Sequence, residues 1–236
     1  MMYPYAEFLI DFDRKHGHRT HENRPENTRA AIIIESRPLF FLPKVIKNAM
    51  YFLGPRWNLY VFTSELSHDY VQASLTGWNV GITKFPRVSR LRVADYNGIL
   101  ISPAFWERFS EDKLLIFQAD AILTGSNIEE FIGYDFIGAP CGTFDEKFVA
   151  NGGLSLRSRR VMLDCVTRHA CPSDMPEDVF FTNALRKMGA SMPDFSAAAA
   201  FAVESVYTRH PVGVHGTDKC YHRVETAETI VRGISY

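Results

Sequence analysis

Lys113–Leu123, Lys-Leu-Leu-Ile-Phe-Gln-Ala-Asp-Ala-Ile-Leu, is the stretch that most limits what this chain can fold into. Leu114–Phe117 is an unbroken apolar run with branched and aromatic side chains, which suits a strand covered on both faces. It runs into a polar step, Gln118-Ala119-Asp120, before apolar residues resume. A carboxylate at the carboxyl end of such a strand is costly to bury unless something pairs with it. In an open α/β sheet that edge is also where ligands bind. Alone, Asp120 reads as a cap on the next turn; its meaning depends on the residues that follow.

The segments around this strand alternate. Ala30–Glu35 is a continuous apolar strand ending at Glu35-Ser36-Arg37. Pro38 then sits at a plausible first helical turn, and Leu39, Leu42, Ile46, Ala49, Met50 and Leu53 recur at helical spacing until Gly54-Pro55. Asn58–Thr63 predicts a second strand, Ser64–Leu75 a helix, and Gly77–Phe85 a third, weaker strand. Asn97-Gly98 reads as a turn, and Ser102-Pro103 opens a helix. Strands alternating with helices about 30 residues apart argue for βαβ crossovers and a mainly parallel central sheet flanked by helices. Further on, Ile128–Ile132 predicts a short helix and Tyr134–Ala139 a strand closed by Pro140. Val149–Arg157 predicts another strand, with Arg159–His169 and Pro176–Met188 as helices. Ala197–Glu204 fits either a strand or a helix, and Val212–His215 a last short strand.

Composition removes several function classes. The 236 residues, 46% hydrophobic, suffice for a sizeable α/β core, and a formal charge of −1 lacks the basic excess of a nucleic-acid binder. Cys141, Cys165, Cys171 and Cys220 have no paired CxxC spacing, so a zinc knuckle is not expected. No run approaches the roughly 18 apolar residues of a membrane span, and Met1–Ile10 is too short for a signal peptide. The expectation is a soluble, cytoplasmic protein; a secreted fragment whose signal has been removed is the alternative. Residues 1–28, with His16, His18 and His21 among Arg, Lys and Asn, read as a polar leader, and 29–236 as one domain. Phe8–Asp13, an apolar run ending in Asp11-Phe12-Asp13, has the outline of a phosphatase strand of the haloacid-dehalogenase kind. Lys15 stands where that motif needs Thr or Val. No Gly-x-Gly-x-x-Gly follows the first strand and no Walker A pattern occurs.

Three later segments join Asp120 as candidates. Asn151-Gly152-Gly153-Leu154-Ser155 lets backbone approach a ligand where a Cβ would clash, or is merely a bulge or hairpin turn. Pro176-Glu177-Asp178-Val179 places two acids in a first helical turn, where the helix dipole alone favours them. Val212-Gly213-Val214-His215-Gly216 ends a strand on a histidine that is structural in most settings.

In order, these segments resemble a GT-A nucleotide-sugar glycosyltransferase, close to a family of short glycosyltransferase-like domains of unknown function in bacteria and fungi. The resemblance is carried by Phe117–Asp120, Tyr134–Pro140, Asn151–Arg157 and Pro176–Phe181, and spans roughly Arg29 to His215. It implies a single GT-A-like (Rossmann-like) domain that moves a sugar from a nucleoside diphosphate, a UDP-sugar, to the hydroxyl of a glycan or other acceptor, with inversion. It implies that Asp120 and His215 bind Mn²⁺ or Mg²⁺ bridging the donor phosphates, a hard-cation, oxygen-rich setting. It further implies that Asp178 is the general base and that Glu177 positions the acceptor. Gly152 and Gly153 would lie against sugar, Lys219 would meet a phosphate oxygen, and Glu35 and Arg37 would receive base and ribose. Gln118 departs from the pattern: it stands where the metal step carries a first acid, and it brings no charge. That departure keeps open a catalytically inactive module that binds nucleotide or glycan. A phosphatase using Asp11 and Asp13 ranks below both.

Overall fold

The computed structural model describes residues 4–85, 90–141, 148–217 and 224–234. The apolar runs form strands β1 (Arg29–Glu35), β2 (Trp57–Thr63), β3 (Gly81–Lys84), β4 (Lys113–Phe117), β5 (Ala121–Leu123), β6 (Phe136–Cys141), β7 (Val149–Ser158), β8 (Ala202–Val203) and β9 (Gly213–His215). Six of them build the central sheet in the order β3-β2-β1-β4-β7-β6. β1 pairs in parallel with both β2 and β4, and β2 with β3. β7 runs antiparallel to both of its neighbours, β4 and β6. The sheet is therefore mainly parallel, with β7 alone reversed, and helices flank it on both faces.

Continuous burial of the central strands has the cause that their composition suggested: each face carries its own apolar layer. Ala31 and Ile33 of β1 and Leu115 and Phe117 of β4 join one cluster, and Ala30, Ile32, Leu114 and Ile116 join the other. The first layer holds helices α1 (Pro4–His16) and α2 (Leu42–Leu53). Behind β2 and before β4 come α3 (Glu65–Ser74), α4 (Val93–Leu100) and α5 (Pro103–Trp106). The second layer takes Phe105 and Trp106 of α5, Met162 and Cys165 of α6 (Arg159–Arg168), Phe180 and Phe181 of α7 (Glu177–Met188), and Ala198 of α8 (Phe195–Phe201). A last helix, α9 (Val224–Arg232), returns Ala227 and Ile230 to the first layer. No helix among the described residues is long and apolar enough to cross a membrane.

Several expectations change. Nearly half of the segment read as a polar leader is α1, whose Tyr5, Phe8, Leu9 and Phe12 are buried in the main core. Their spacing is one face of a helix, which intervening charges hide from a reader of composition. Phe8–Phe12 is thus helical. Asp13 lies on that helix and pairs with Lys44 at 2.6 Å and Lys47 at 3.4 Å, so the acids of the phosphatase reading end no strand. The three histidines separate: His21 holds the Trp57 carbonyl at 2.7 Å, and the His16 ring lies against Tyr51, so no shared metal site forms from them.

Helix α2 begins at Leu42 with Pro43 in its first turn, leaving Ser36–Phe41 as a loop at the carboxyl end of β1. Asn97-Gly98 lies inside α4, because Asp95 accepts from the Arg92 backbone N–H at 2.9 Å and starts the helix ahead of it. Pro140 does not end β6; an edge strand tolerates it at the register shift between Gly138 and Pro140.

Candidate active site

The chain leaves β4 at Phe117, turns through Gln118-Ala119-Asp120, and enters β5, which belongs to a separate three-stranded sheet ordered β5-β9-β8. β5 and β9 are antiparallel with Ala121 opposite His215, so this register sets Asp120 beside a residue 95 positions later. Asp120 Oδ1 lies 3.5 Å from His215 Nε2, and Gln118 Oε1 lies 3.3 Å from the same nitrogen. The other ring nitrogen, Nδ1, is 3.2 Å from Glu204 Oε1, just beyond β8. Asp120 is 7% exposed, Glu204 7% and His215 3%, so the ring sits between two largely buried carboxylates. Burial opposes protonation of His215, but Asp120 and Glu204 outweigh it and raise the pKa above the ordinary histidine value.

β7 supplies the opposite wall. Gly138 pairs with Ser155 but Pro140 with Ala150, so residues 151–154 bulge out of the β6 ladder. Side chains and a neighbouring strand then take up their backbone groups. Gly153 N–H donates to Asn151 Oδ1 at 2.8 Å, and Gly152 N–H donates to Asp178 Oδ2 at 3.3 Å. Gln118 N–H donates to the Gly153 carbonyl at 2.8 Å, tying the bulge to the Gln-Ala-Asp step. A Cβ at 153 would overlap the His215 ring and one at 152 the Glu177 carboxylate, so both positions require glycine for close approach.

Helix α7 starts against this bulge. Asp178 is half-buried, with Oδ1 accepting from the Val179 N–H at 2.8 Å and Oδ2 from Gly152. Glu177, expected to position an acceptor, turns inward: it is 4% exposed and accepts from Arg157 Nη1 at 2.8 Å and Nη2 at 3.0 Å. Both oxygens of this carboxylate are thus engaged by Arg157 at the base of the cleft.

The third wall comes from the ends of β1 and β2. Glu35 is buried and takes Arg37 in a fork, Nε at 3.0 Å and Nη2 at 2.8 Å, plus the Arg37 N–H at 2.7 Å. Ser36 Oγ accepts from the Leu91 N–H at 2.7 Å, and the Ser36 carbonyl accepts from Ser64 Oγ at 2.6 Å, which holds the loop after β1 against the approach to α4. Together these walls enclose a cleft of about 570 Å³ at the carboxyl edge of the sheet. Glu35, Arg37, Gln118, Asp120, Gly152, Gly153, Glu177, Asp178 and His215 all line it. Lys219 lies outside the described residues.

Sequence reasoning missed Glu204 and left Asn151 and Arg157 without roles. Asn151 Nδ2 donates to Glu204 Oε1 at 3.1 Å, joining the bulge to the histidine pair. A signal for Glu204 existed: it ends the apolar stretch Ala197–Val203 as Asp120 ends that of β4. A hollow of about 580 Å³ between the loops at 124–127 and 207–211 and the end of α9 is comparable in size, but its titratable side chains, Arg209, His210 and Arg232, are exposed.

Comparison with known proteins adds two findings. The profile of a family described as "Protein of unknown function (DUF5672)" matches residues 79–215, more than half of the chain and most of the cleft. Among solved structures, the apo form of the glycosyltransferase GlyE from Streptococcus pneumoniae TIGR4 is similar, with a TM-score of 0.50 and 12% identity. The match covers 80% of this chain and 54% of that one, so the chain spans about half the length of that glycosyltransferase. At this identity the likeness speaks for the fold, a mixed α/β Rossmann-like arrangement of the glycosyltransferase kind. No curated protein matches the chain in sequence.

Proposed function

Because the chain belongs to the DUF5672 family, whose description leaves its activity open, we propose a function from the cleft itself. The protein transfers a sugar from a nucleoside diphosphate, with UDP as the first donor to test, to an acceptor hydroxyl in a GT-A arrangement. The observation that carries this reading is the meeting, in one cleft, of Asp120, His215, the Gly152-Gly153 bulge and Asp178, residues up to 95 positions apart in the chain. The fold likeness to a glycosyltransferase supports it.

Each wall then has a task. The Ser36–Arg37 loop, braced by Glu35, receives base and ribose. Gly152 and Gly153, packed against the Glu177 carboxylate and the His215 ring, form the backbone wall against which the donor sugar lies. Asp178, held by two backbone N–H groups, accepts the proton of the acceptor hydroxyl as that oxygen attacks the anomeric carbon, and the diphosphate departs on the opposite side. This in-line geometry inverts the anomeric centre. Glu177, held by Arg157, begins the helix that carries Asp178 and does not touch the acceptor.

A divalent cation would bind at the Asp120–His215 pair, whose carboxylate and imidazole are donors such an ion takes. Asp120 Oδ1 and His215 Nε2 would hold it, with Gln118 Oε1 beside the same nitrogen, at separations of 3.5 and 3.3 Å. Among the described residues no group of three His, Cys, Asp or Glu is placed to hold a metal, so any further protein ligand would have to come from outside those residue types, with Gln118 the nearest. Bound Mn²⁺ or Mg²⁺ would neutralise charge on the leaving diphosphate. His215 must release its proton to offer Nε2.

Titration calorimetry of UDP with and without Mn²⁺, followed by a donor-hydrolysis assay, tests the proposal. Binding strengthened by Mn²⁺ and slow hydrolysis of a UDP-sugar are expected. Failure of a panel of nucleoside diphosphates and their sugars to bind or react would sink it. Nucleotide binding without turnover would select the inactive binding module, the reading that Gln118 favours.

A further inference from the structure

Beneath the Gly152-Gly153 bulge lies a charged pair that touches no substrate in the proposed reaction. Arg157 is 0% exposed, with its guanidinium 4.8 Å from the Phe136 ring centroid and 5.4 Å from that of Phe181. It donates to both oxygens of Glu177, to Ser155 Oγ at 2.9 Å and, at 3.5 Å, to the Gly152 carbonyl. Glu177 is the first residue of α7, and Asp178 is the next. Fixing the Glu177 carboxylate therefore fixes where the helix begins and where the Asp178 side chain leaves it.

Stability alone does not account for such a pair. Desolvating both charges is costly, and apolar residues of similar volume serve a core as well or better. What they lack is direction. The planar fork of an arginine meets a carboxylate in one orientation, and here the same group also reaches the bulge.

We propose that Arg157 is the positioning residue of this cleft. Through Glu177 and the Gly152 carbonyl it locks the first turn of α7 to the β7 bulge, so that the Gly152 N–H holds Asp178 facing the substrate. The proposal deepens the transferase reading and rests on it for the role of Asp178.

The test is the double variant Arg157→Met/Glu177→Met, with Arg157→Lys as the conservative partner. Three quantities are measured: melting temperature, hydrogen exchange at the Gly152 amide by NMR, and kcat and KM for the donor sugar. The double variant is expected to melt at or above the parent, because no buried charge is left unpaired. Its Gly152 amide is expected to exchange at least about tenfold faster, and its kcat to fall at least about tenfold, with donor KM within about twofold, as expected when an interaction is lost only in the transition state. Arg157→Lys, which keeps the charge and loses the fork, is expected to shift both the exchange and kcat in the same direction.

Parental exchange and parental kcat in a stably folded double variant would overturn the proposal and leave the pair as core structure. Should the double variant fail to fold, Arg157→Lys decides on the same readouts. If the parent has no turnover, the transferase reading fails, and Gly152 exchange decides the positioning claim by itself. Faster exchange supports it and parental protection overturns it.

Discussion

Strand β4 has a carboxylate near each end, and the two edges of the sheet treat them oppositely. Near the amino end, Glu111 is 1% exposed. Its Oε1 accepts from Asn58 Nδ2 at 2.6 Å and the Tyr60 hydroxyl at 2.9 Å, and its Oε2 accepts from the Ser110 N–H at 3.1 Å. Burial, then the bond to Glu111, pushes the Tyr60 pKa up to about 12, so the phenol stays a donor. Near the carboxyl end, Asp120 is nearly as buried, at 7%, yet it faces a histidine that also faces Glu204, and all three line the cleft. A carboxylate ringed by neutral donors is a finished piece of structure. Acids that share one imidazole at the wall of a cleft form the kind of coupled titratable cluster that marks functional sites. Burial is common to both ends; the kind of partner distinguishes them.

The hardest way to break this comparison is at the carboxyl edge. Asp178→Asn is expected to lower kcat by about 10²–10⁴-fold, the range of a general base. Nucleotide affinity should stay within twofold, and Glu111→Gln should leave kcat unchanged. A steady-state assay that found equal losses in the two variants would erase the distinction between the edges.

Asp120→Ala should weaken Mn²⁺-dependent UDP binding by roughly 10–100-fold, on the scale of disturbed metal sites, read by calorimetry. At the amino edge the effect moves from binding to stability. Glu111→Leu strands the donors of Asn58, Tyr60 and Ser110 and is expected to cost about 1–3 kcal/mol in denaturant unfolding, with UDP affinity unchanged.

The smallest effect belongs to a third carboxylate, on α1. Burial of Asp13 acts to raise its pKa, but Lys44 and Lys47 outweigh it and hold the pKa below the ordinary value. The unfolded chain therefore binds this proton more readily. The stabilisation is present above the unfolded value of about 3.9 and is lost as pH falls through the lower folded value. Asp13→Asn is expected to cost less than about 1 kcal/mol at neutral pH and to flatten the acid limb of the stability curve. An acid limb identical to the parent's would show that the ion pairs contribute nothing.

What the sequence by itself determined is local. Branched and aromatic apolar runs specify β1, β2 and β4, because a residue that must be buried on either face leaves few polar options along the strand. The Asp120 step, the paired glycines and the Glu177-Asp178 pair were legible as chemistry-bearing residues, because each is costly or unusual where it stands. The helical stripe Tyr5, Phe8, Leu9, Phe12 was present as well, masked by the charges between its members. Only the tertiary structure decided which of these residues meet. Asp120 finds His215 through the antiparallel register of β5 and β9, and Glu204 joins through β8. Glu177 and Asp178 are adjacent in sequence and similar in chemistry, yet one pairs with the buried Arg157 and the other with the backbone of the β7 bulge. Strand register and side-chain direction arise from packing between segments far apart in the chain, and no local window of residues carries that information.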